Sequence, residues 1–499
     1  MSVSIASSAA AAEGRRTITA AALLATYMQA AAISLPNAAL LHLQGTLSMA
    51  DDEAGWVFSA YIAASLVTLP TARWLAGRFG RKAVYQFSIA IFAAGLVLAT
   101  LATTSLQFVA ARIIQGAASG PIAPLSLAIL LDTVPPPRHA RISLAWTVTL
   151  VLGIVSGPSI GGWLCEAYGW TSVFHLTLLM AGFILLAMAL SLPETRAKQA
   201  PSLDLFGLAT LSLGLIGLQL LLDRGERVEW FESAESWAEA AAAALGFALY
   251  LVHILTSRAH FLDKALFRDR NFVLSTILFF AFGFVLLPTM ALTSPMLDEL
   301  LGYPADTTGF MAIPRSIALV AALILTARTP ARIDTRLLVA GGVALVVYAN
   351  WRMLGYSPLM DWRPVIVAGV IQGAGLGILM PALTRTAFST LDPALRPEGT
   401  VLFNLSRLYG STIGIALVQT CFHQNTQAMH LALAKQLTPT RAAAHVADAA
   451  AGPGLAALNH MVTGQAAFVG LIGQFKLMMI VMLIMSPLVL FLRQPRPAN

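Results

Sequence analysis

The chain has 499 residues, of which 57% are hydrophobic and only 11% charged, with a formal net charge of +7. A water-soluble globular protein carries roughly 25% charged residues, so most of this chain does not face water. Two cysteines, Cys165 and Cys421, exclude a disulfide framework and a cysteine-rich metal site. Apolar runs of about 20 residues, the length that crosses a bilayer as helix, recur from end to end. They are continuous rather than alternating, which selects helices over a closed barrel.

Fourteen spans are predicted in chain order: Ile18–Leu40, Ala54–Trp74, Ala83–Leu101, Leu106–Leu130, Ile142–Leu164, Val173–Leu192, Leu205–Leu222, Ala238–Leu255, Phe272–Leu292, Phe310–Thr326, Leu337–Tyr348, Val365–Phe388, Val401–Cys421 and Phe468–Leu492. Leu337–Tyr348 is short and is expected to run on past Trp351. Arg15 and Arg16 precede a run too long for a signal peptide and without a clear cleavage site, so that run is an uncleaved first span. Across the fourteen spans Arg15, Arg16, Arg73, Arg78, Arg81, Lys82, Arg138, Arg141, Arg196, Lys198, Arg258, Lys264, Arg268, Arg270, Arg328, Arg332, Arg336, Arg396, Arg493 and Arg496 fall on one side. The opposite loops hold mainly Asp51, Asp52, Glu53, Glu166, Asp298, Glu299 and Asp306. This positive-inside bias puts both termini in the cytoplasm and argues against nucleic acid as the partner of the basic excess.

Two stretches repeat without a gap. Ile114–Pro124 reads IQGAASGPIAP and Ile371–Pro381 reads IQGAGLGILMP, the first in span four and the second in span twelve. Parallel halves related by an axis along the membrane normal are common in secondary transporters. A six-helix repeat would pair span four with span ten, so spans seven and eight are read as an inserted pair. The charged stretch DRGERVEWFESAESWAE is the solvated outer loop joining them. The longest outer loop, His423–Ala467, is either a contact for a periplasmic adaptor or a cap over the outer mouth.

Three motifs have a physical reading. In GIVSGPSIGG, Gly153, Gly157 and Gly161 are four residues apart on one helix face, beside Pro158 and Gly162. Glycines so spaced let a second backbone approach closely, and proline permits a bend; plain packing explains the spacing equally well. In RIIQG, Arg112 lies deep in span four, where a charge must face protein or a wet cavity, with Gln115 a turn later. In RWLAGRFGRKAVY, Gly77 and Gly80 allow a tight reversal, and Arg78, Arg81 and Lys82 can hold helix C-termini, phosphate headgroups or loop carboxylates; topology alone also collects basic residues in such a loop.

These three motifs, in this order and at these spans, resemble the signatures of the major facilitator superfamily. Fourteen spans together with LLDRGERVEWF, LGYPADTTGF and RLYGSTIGIA resemble its fourteen-helix drug:proton antiporter branch of the EmrB/QacA type. The resemblance implies an all-α membrane protein with the major facilitator fold: a tail at 1–17, a six-helix bundle at 18–194, two inserted helices at 195–265, a second bundle at 266–492 and a tail at 493–499. It implies an exporter of amphipathic small molecules in the bacterial cytoplasmic membrane, working by alternating access, with no cofactor. On this reading the glycine–proline face of span five is a gating contact, and protons and lipid are its further partners.

The chain departs from that pattern twice. Gly77 stands where the loop motif usually has an acidic residue. Registering on Pro36 puts Tyr27, Gln29 and Ala32 where the first span usually has aspartate, threonine and asparagine, and no acidic residue lies centrally in any span. A proton-coupled exporter needs a group whose protonation switches, for which His175 and His42 are the remaining candidates, with His253 in an inserted helix behind them. The intramembrane cations are Arg112, Arg315, Arg385 and Arg407; the last two lie in the cytoplasmic half, where pairing with loop acids or carbonyls is expected. Without a central carboxylate, neutral or anionic aromatics are the expected substrates. By resemblance, Gln29, Tyr61, Arg112, Gln115, Trp146, Arg315, Gln372, Asn404 and Arg407 are the candidate cavity residues. The competing readings are a carrier for one organic anion that is uncoupled or differently coupled, and a transport-dead sensor or scaffold. An enzyme is disfavoured, since no paired carboxylates, nucleophile–base set or clustered metal ligands are found, and no phosphate-binding loop is present to use ATP.

Overall fold

The computed structural model describes residues 2–49, 53, 55–194, 204–225, 230–257, 263–330, 333–392, 395–436 and 452–493. Asp51, Asp52, Arg196, Lys198, Arg258, Arg332, Arg496 and the stretches 226–229 and 437–451 lie outside them. The described residues are helical, without a strand among them, and each of the fourteen apolar runs forms helix. In chain order α1 (Ser2–Ala38) passes almost directly into α2 (Leu40–Leu47). One span is then shared by α3 (Trp56–Thr68) and α4 (Ala72–Phe79), another is α5 (Arg81–Leu101), and a third is shared by α6 (Ser105–Ser119) and α7 (Ile122–Thr133). There follow α8 (His139–Tyr168), α9 (Thr171–Ser191), α10 (Leu205–Arg224), α11 (Ala234–Thr256), α12 (Arg270–Pro295), α13 (Ala305–Ala327), α14 (Thr335–Met353), α15 (Arg363–Ser389), α16 (Arg396–Ala434) and α17 (Gly452–Met485).

Among the described residues, twelve helices are long and apolar enough to cross a membrane. The α3–α4 span falls short because Pro70 sits in a tight 3-10 turn that divides it. The other short one is α14, which carries Arg336, Asn350 and Arg352 within 19 residues. It does continue past Trp351, as its length required. The stretch His423–Ala467 departs from the expected loop: α16 continues to Ala434 and α17 begins at Gly452. The Ala, Leu, Met and Gln content of these extensions explains it, since these are strong helix formers. The reversal after span two also differs. Gly77 lies inside α4, and the turn rests on Gly80 alone, whose φ of +92° suits only glycine.

By its internal contacts the chain divides into two units, Met1–Val273 with Ala387–Leu408, and Leu274–Thr386 with Tyr409–Asn499. In the first, α1 packs most extensively on α8, and the span-five glycines are the reason. A Cβ on Gly153 would lie 2.7 Å from the Tyr27 carbonyl oxygen, and one on Gly157 would lie 2.1 Å from Ser34 Oγ. The seam is closed by a 2.8 Å hydrogen bond between the Tyr27 and Ser156 hydroxyls. In the second unit Gly410 and Gly414 of α16 meet α12 in the same way: a Cβ on Gly410 would lie 2.0 Å from the Phe280 carbonyl oxygen.

The repeated IQGA stretches use their glycines alike. A Cβ on Gly116 would lie 2.2 Å from the Tyr61 carbonyl oxygen and one on Gly120 2.8 Å from that of Ser65. In the second unit a Cβ on Gly373 would lie 2.3 Å from the Arg315 carbonyl oxygen and one on Gly377 2.2 Å from that of Leu319. In both, glycines four apart seat against backbone positions four apart on the second helix of the pair. Overpacking such a contact costs about 1–3 kcal/mol or more. Gly116→Ala should therefore lower the melting temperature of the detergent-solubilised protein, whereas Gly182→Ala, whose new methyl meets nothing within 4 Å, should leave it unchanged or raise it. Equal shifts in the two variants would contradict the close-approach account.

Candidate functional site

Arg112 is buried in the first unit and every part of its guanidinium has a partner. Nε donates to the Val57 carbonyl at 2.8 Å, Nη1 to Gln115 Oε1 at 2.7 Å and Nη2 to the Ala32 carbonyl at 2.9 Å. The Ala32 carbonyl is available because its helical partner would be residue 36, and Pro36 has no N–H. Beneath the guanidinium lies the Tyr61 ring, with its centroid 4.4 Å from Cζ, an attraction of cation and aromatic face. Tyr61 Oη donates to the Gln29 carbonyl at 3.1 Å, and Gln115 Nε2 to the Gly95 carbonyl at 2.9 Å. Tyr61, Arg112 and Gln115 are thus a sealed knot joining α1, α3, α5 and α6. None of the three lines the cavity described below, and the guanidinium meets its charge with two backbone carbonyls and the Gln115 side chain.

The second unit holds a related cluster with the cation moved. Gln372 Nε2 donates to Thr289 Oγ1 at 3.2 Å and to Asn350 Oδ1 at 3.5 Å. Gly369 stands three residues before Gln372, as Arg112 stands before Gln115. Arg315, whose backbone seats Gly373 as Tyr61 seats Gly116, carries the charge instead and donates from Nη2 to the Leu286 carbonyl at 3.4 Å. Arg385 is held as expected by the Thr326 and Thr329 carbonyls, each 3.3 Å from Nη2.

The first unit also contains a cavity of about 1030 Å³. It is walled by α1 at Gln29, Ala30 and Ile33, by the Pro70 break and α4, by α7 from Ala123 to Asp132, by α8 at Trp146, Leu150 and Ile154, and by α16 from Thr400 to Leu408. Of the predicted cavity residues it gathers Gln29, Trp146, Asn404 and Arg407. Arg315 and Gln372 belong to the second unit and line no part of it. Asn404 Nδ2 is occupied by the Thr400 carbonyl at 2.9 Å. The other three each carry a buried polar atom without a protein partner: Gln29 Oε1, Trp146 Nε1, and Arg407 Nε and Nη1. Arg407 therefore departs from the pairing expected of it, because no carboxylate or carbonyl reaches those nitrogens.

Gly153, Gly157, Pro158, Gly161 and Gly162, the residues of the expected gating face, are all buried in α8. Pro158 deprives the Ile154 carbonyl of its helical donor, and Ile154 lines the cavity. In the loop motif, Gly77 and Arg81 line the cavity's charged end, and Arg81 pairs with Asp132. Lys82 Nζ donates to the Ala189 carbonyl at 2.9 Å, near the C-terminus of α9, while Arg78 is exposed. Asp132 is a residue of the site that the chain alone does not single out; the cluster of loop cations, which needs an acid, is the signal for it. Pro70, in the break between α3 and α4, and Pro124, in the first turn of α7 just past the break at Gly120–Pro121, also line the cavity and were not singled out from the chain. His42 and His175 are exposed and neither lines the cavity. His253 Nε2 lies 2.8 Å from Asp204 within the inserted pair.

A chain of many long apolar helices, with a cavity in its first unit lined mostly by apolar side chains and a few polar ones, has the composition of a membrane transporter. The Major Facilitator Superfamily profile matches residues 21–418. The chain belongs to that superfamily and is a multi-pass membrane transporter, not an enzyme. It is 28% identical over 434 residues to the probable multidrug resistance protein EmrY of Escherichia coli, covering 85% of this chain and 82% of that one. It is 28% identical to the fatty acid resistance protein FarB of Neisseria gonorrhoeae over 95% of both chains. A crystal structure of an auto-inhibited POT-family peptide transporter shares the fold, with a TM-score of 0.66 at 14% identity, covering 97% of this chain and 99% of that one.

The exchange of Arg112 and Tyr61 for Gly369 and Arg315 can be tested by reversing it. Gly369→Arg alone places a second guanidinium against Arg315, whose Cβ lies 3.4 Å from the new Cβ, and should lower the melting temperature. Adding Arg315→Tyr should recover a substantial part of that loss, an interaction energy of about 0.5–3 kcal/mol in a double-mutant cycle. Additive losses would contradict the equivalence of the two clusters.

Proposed function

We propose that the protein is a secondary active exporter of amphipathic small molecules, neutral or anionic, of the fourteen-helix drug:proton antiporter type. On this reading two six-helix bundles, 18–194 and 266–492, flank an inserted pair within 195–265, and both tails, 1–17 and 493–499, are cytoplasmic. The membrane is the bacterial cytoplasmic membrane. The observation that carries the reading is the cavity: a largely apolar wall with a few unsatisfied polar atoms is what an amphipathic ligand fits. The printed names of EmrY and FarB, a multidrug and a fatty acid resistance protein, agree with it. The cavity reaches Arg73, Arg81 and Asp132, at the end that the positive-inside bias assigns to the cytoplasm, so it is the intake side. Rearrangement along the Gly153–Gly157 seam would then pass the load outward. A periplasmic adaptor that receives it, with the helical extensions of α16 and α17 as its contact, is part of the same proposal.

One observation favours a second reading of the energy source. Tyr27 stands where the branch usually has a carboxylate, and its hydroxyl is engaged with Ser156. The carrier is then uncoupled from protons or coupled to another ion. Reconstituted vesicles decide between the two: proton coupling predicts that an imposed pH gradient drives accumulation and that its collapse abolishes it, whereas the second reading predicts facilitated flux that ignores the gradient. A transport-dead scaffold predicts no protein-dependent flux at all. The site itself is tested by Ala128→Trp, which fills the cavity from α7. It should reduce flux at least about tenfold with the melting temperature unchanged, and full flux in this variant would move the substrate elsewhere.

A further inference from the structure

Arg407 has only about 5% of its surface exposed, and its Nε and Nη1 have no partner. An uncompensated buried guanidinium is costly, and burial without a counter-charge or hydrogen bonds is rare enough to require an explanation. Arg112 shows how this same chain treats a buried guanidinium whose role is purely structural, since there every nitrogen is given an acceptor. No acid of the cavity wall is left to serve Arg407. Among the described lining residues the charged ones are Arg73, Arg81, Arg407 and Asp132, and Asp132 is already paired with Arg81. The same wall holds Trp146 Nε1, a second donor without an acceptor. The same wall carries a broad apolar surface, including Ile33 on α1 and Leu150 and Ile154 on α8.

We infer that Arg407 and Trp146 form a subsite for the single negative charge of an amphiphile, a carboxylate or sulfonate headgroup, whose hydrophobic body lies against α1 and α8. Arg407 supplies two charge-assisted donors and Trp146 a neutral one; Gln29 Oε1, an acceptor, serves a hydroxyl or amide on the same molecule. For a quaternary ammonium headgroup the carboxylate among the described lining residues, Asp132, is already paired with Arg81. The inference rests on the exporter reading and narrows its substrate class to anions. An anionic phospholipid presents the same chemistry as a free amphiphile, and the experiment separates the two.

The test uses purified full-length protein in nanodiscs and three fluorescent probes of one hydrophobic body, pyrenebutanoate, pyrenebutanol and pyrenebutyltrimethylammonium. In phosphatidylcholine discs the butanoate should bind about tenfold or more tighter than the alcohol, the gain expected of hydrogen bonds to a charged group, and the ammonium probe more weakly than either. Arg407→Gln should abolish the preference while leaving the affinity for the alcohol within about twofold. Arg407→Lys, which keeps the charge and guards against a folding defect in the glutamine variant, should keep part of the preference. Trp146→Phe should weaken the butanoate alone. If the preference is present in phosphatidylcholine but vanishes in phosphatidylglycerol discs, and Arg407→Gln removes it in the former, the subsite stands with a lipid headgroup as occupant. A butanoate preference that survives Arg407→Gln, or none in the wild type, overturns the subsite while binding of the alcohol leaves the exporter reading intact. Failure of all three probes to bind overturns both.

Discussion

The packing of the first unit depends on how one buried guanidinium is neutralised without an acid. Inside a bilayer no water is available to an unsatisfied donor or acceptor, and Arg112 would be excluded from the membrane if its nitrogens were not met. The chain meets them with backbone: the carbonyl freed by Pro36 on α1, a carbonyl near the start of α3, and the side chain of Gln115. Each partner comes from a different turn or helix, so the guanidinium fixes three helices at one point. Breaking one arm of such an arrangement leaves a buried charge uncompensated, which typically costs about 3–5 kcal/mol.

Around that knot the helices approach by omission of side chains. Gly116 and Gly120 let α3 against the span-four helices, and Gly153 and Gly157 let α1 against α8. Helix association in lipid gains from close backbone contact rather than from expulsion of water, so removal of Cβ is the available device. The second unit repeats it with Gly373, Gly377, Gly410 and Gly414. What it does not repeat is the position of the charge. Glycine replaces the arginine and arginine replaces the tyrosine, so the pair of contacting helices keeps one cation while the helix that carries it changes.

The fold was almost wholly legible from the chain, because the bilayer imposes a length and a polarity that local sequence must satisfy. Boundaries were legible where glycine or proline forces a break, as at Gly80, and were lost where strong helix formers continued the helix, as in Met429–Ala434 of α16. The site was legible in part. Arg112 could be recognised as out of place, but its partners are carbonyls, which every residue has and no sequence advertises. Arg407 was harder. Position near the cytoplasmic end made a paired arginine the natural expectation, and only three-dimensional packing reveals that Asp132, the acid among the described lining residues, is taken by Arg81 while Arg407 Nε and Nη1 have no partner. Gln29 and Trp146 are polar residues that the chain itself picks out, whereas their unpartnered atoms emerge only once the helices are packed.

The cavity beside α1, α7 and α8 is, on this account, the compartment in which the transported molecule travels. Single-cysteine accessibility at Ala128, in a background with Cys165 and Cys421 replaced by serine, tests that claim most directly in oriented membrane vesicles. A membrane-impermeant maleimide is predicted to modify Ala128→Cys from the cytoplasmic face, and saturating amounts of a transported amphiphile to protect it. Modification that is unaffected by the amphiphile, or that never occurs from that face, would contradict it.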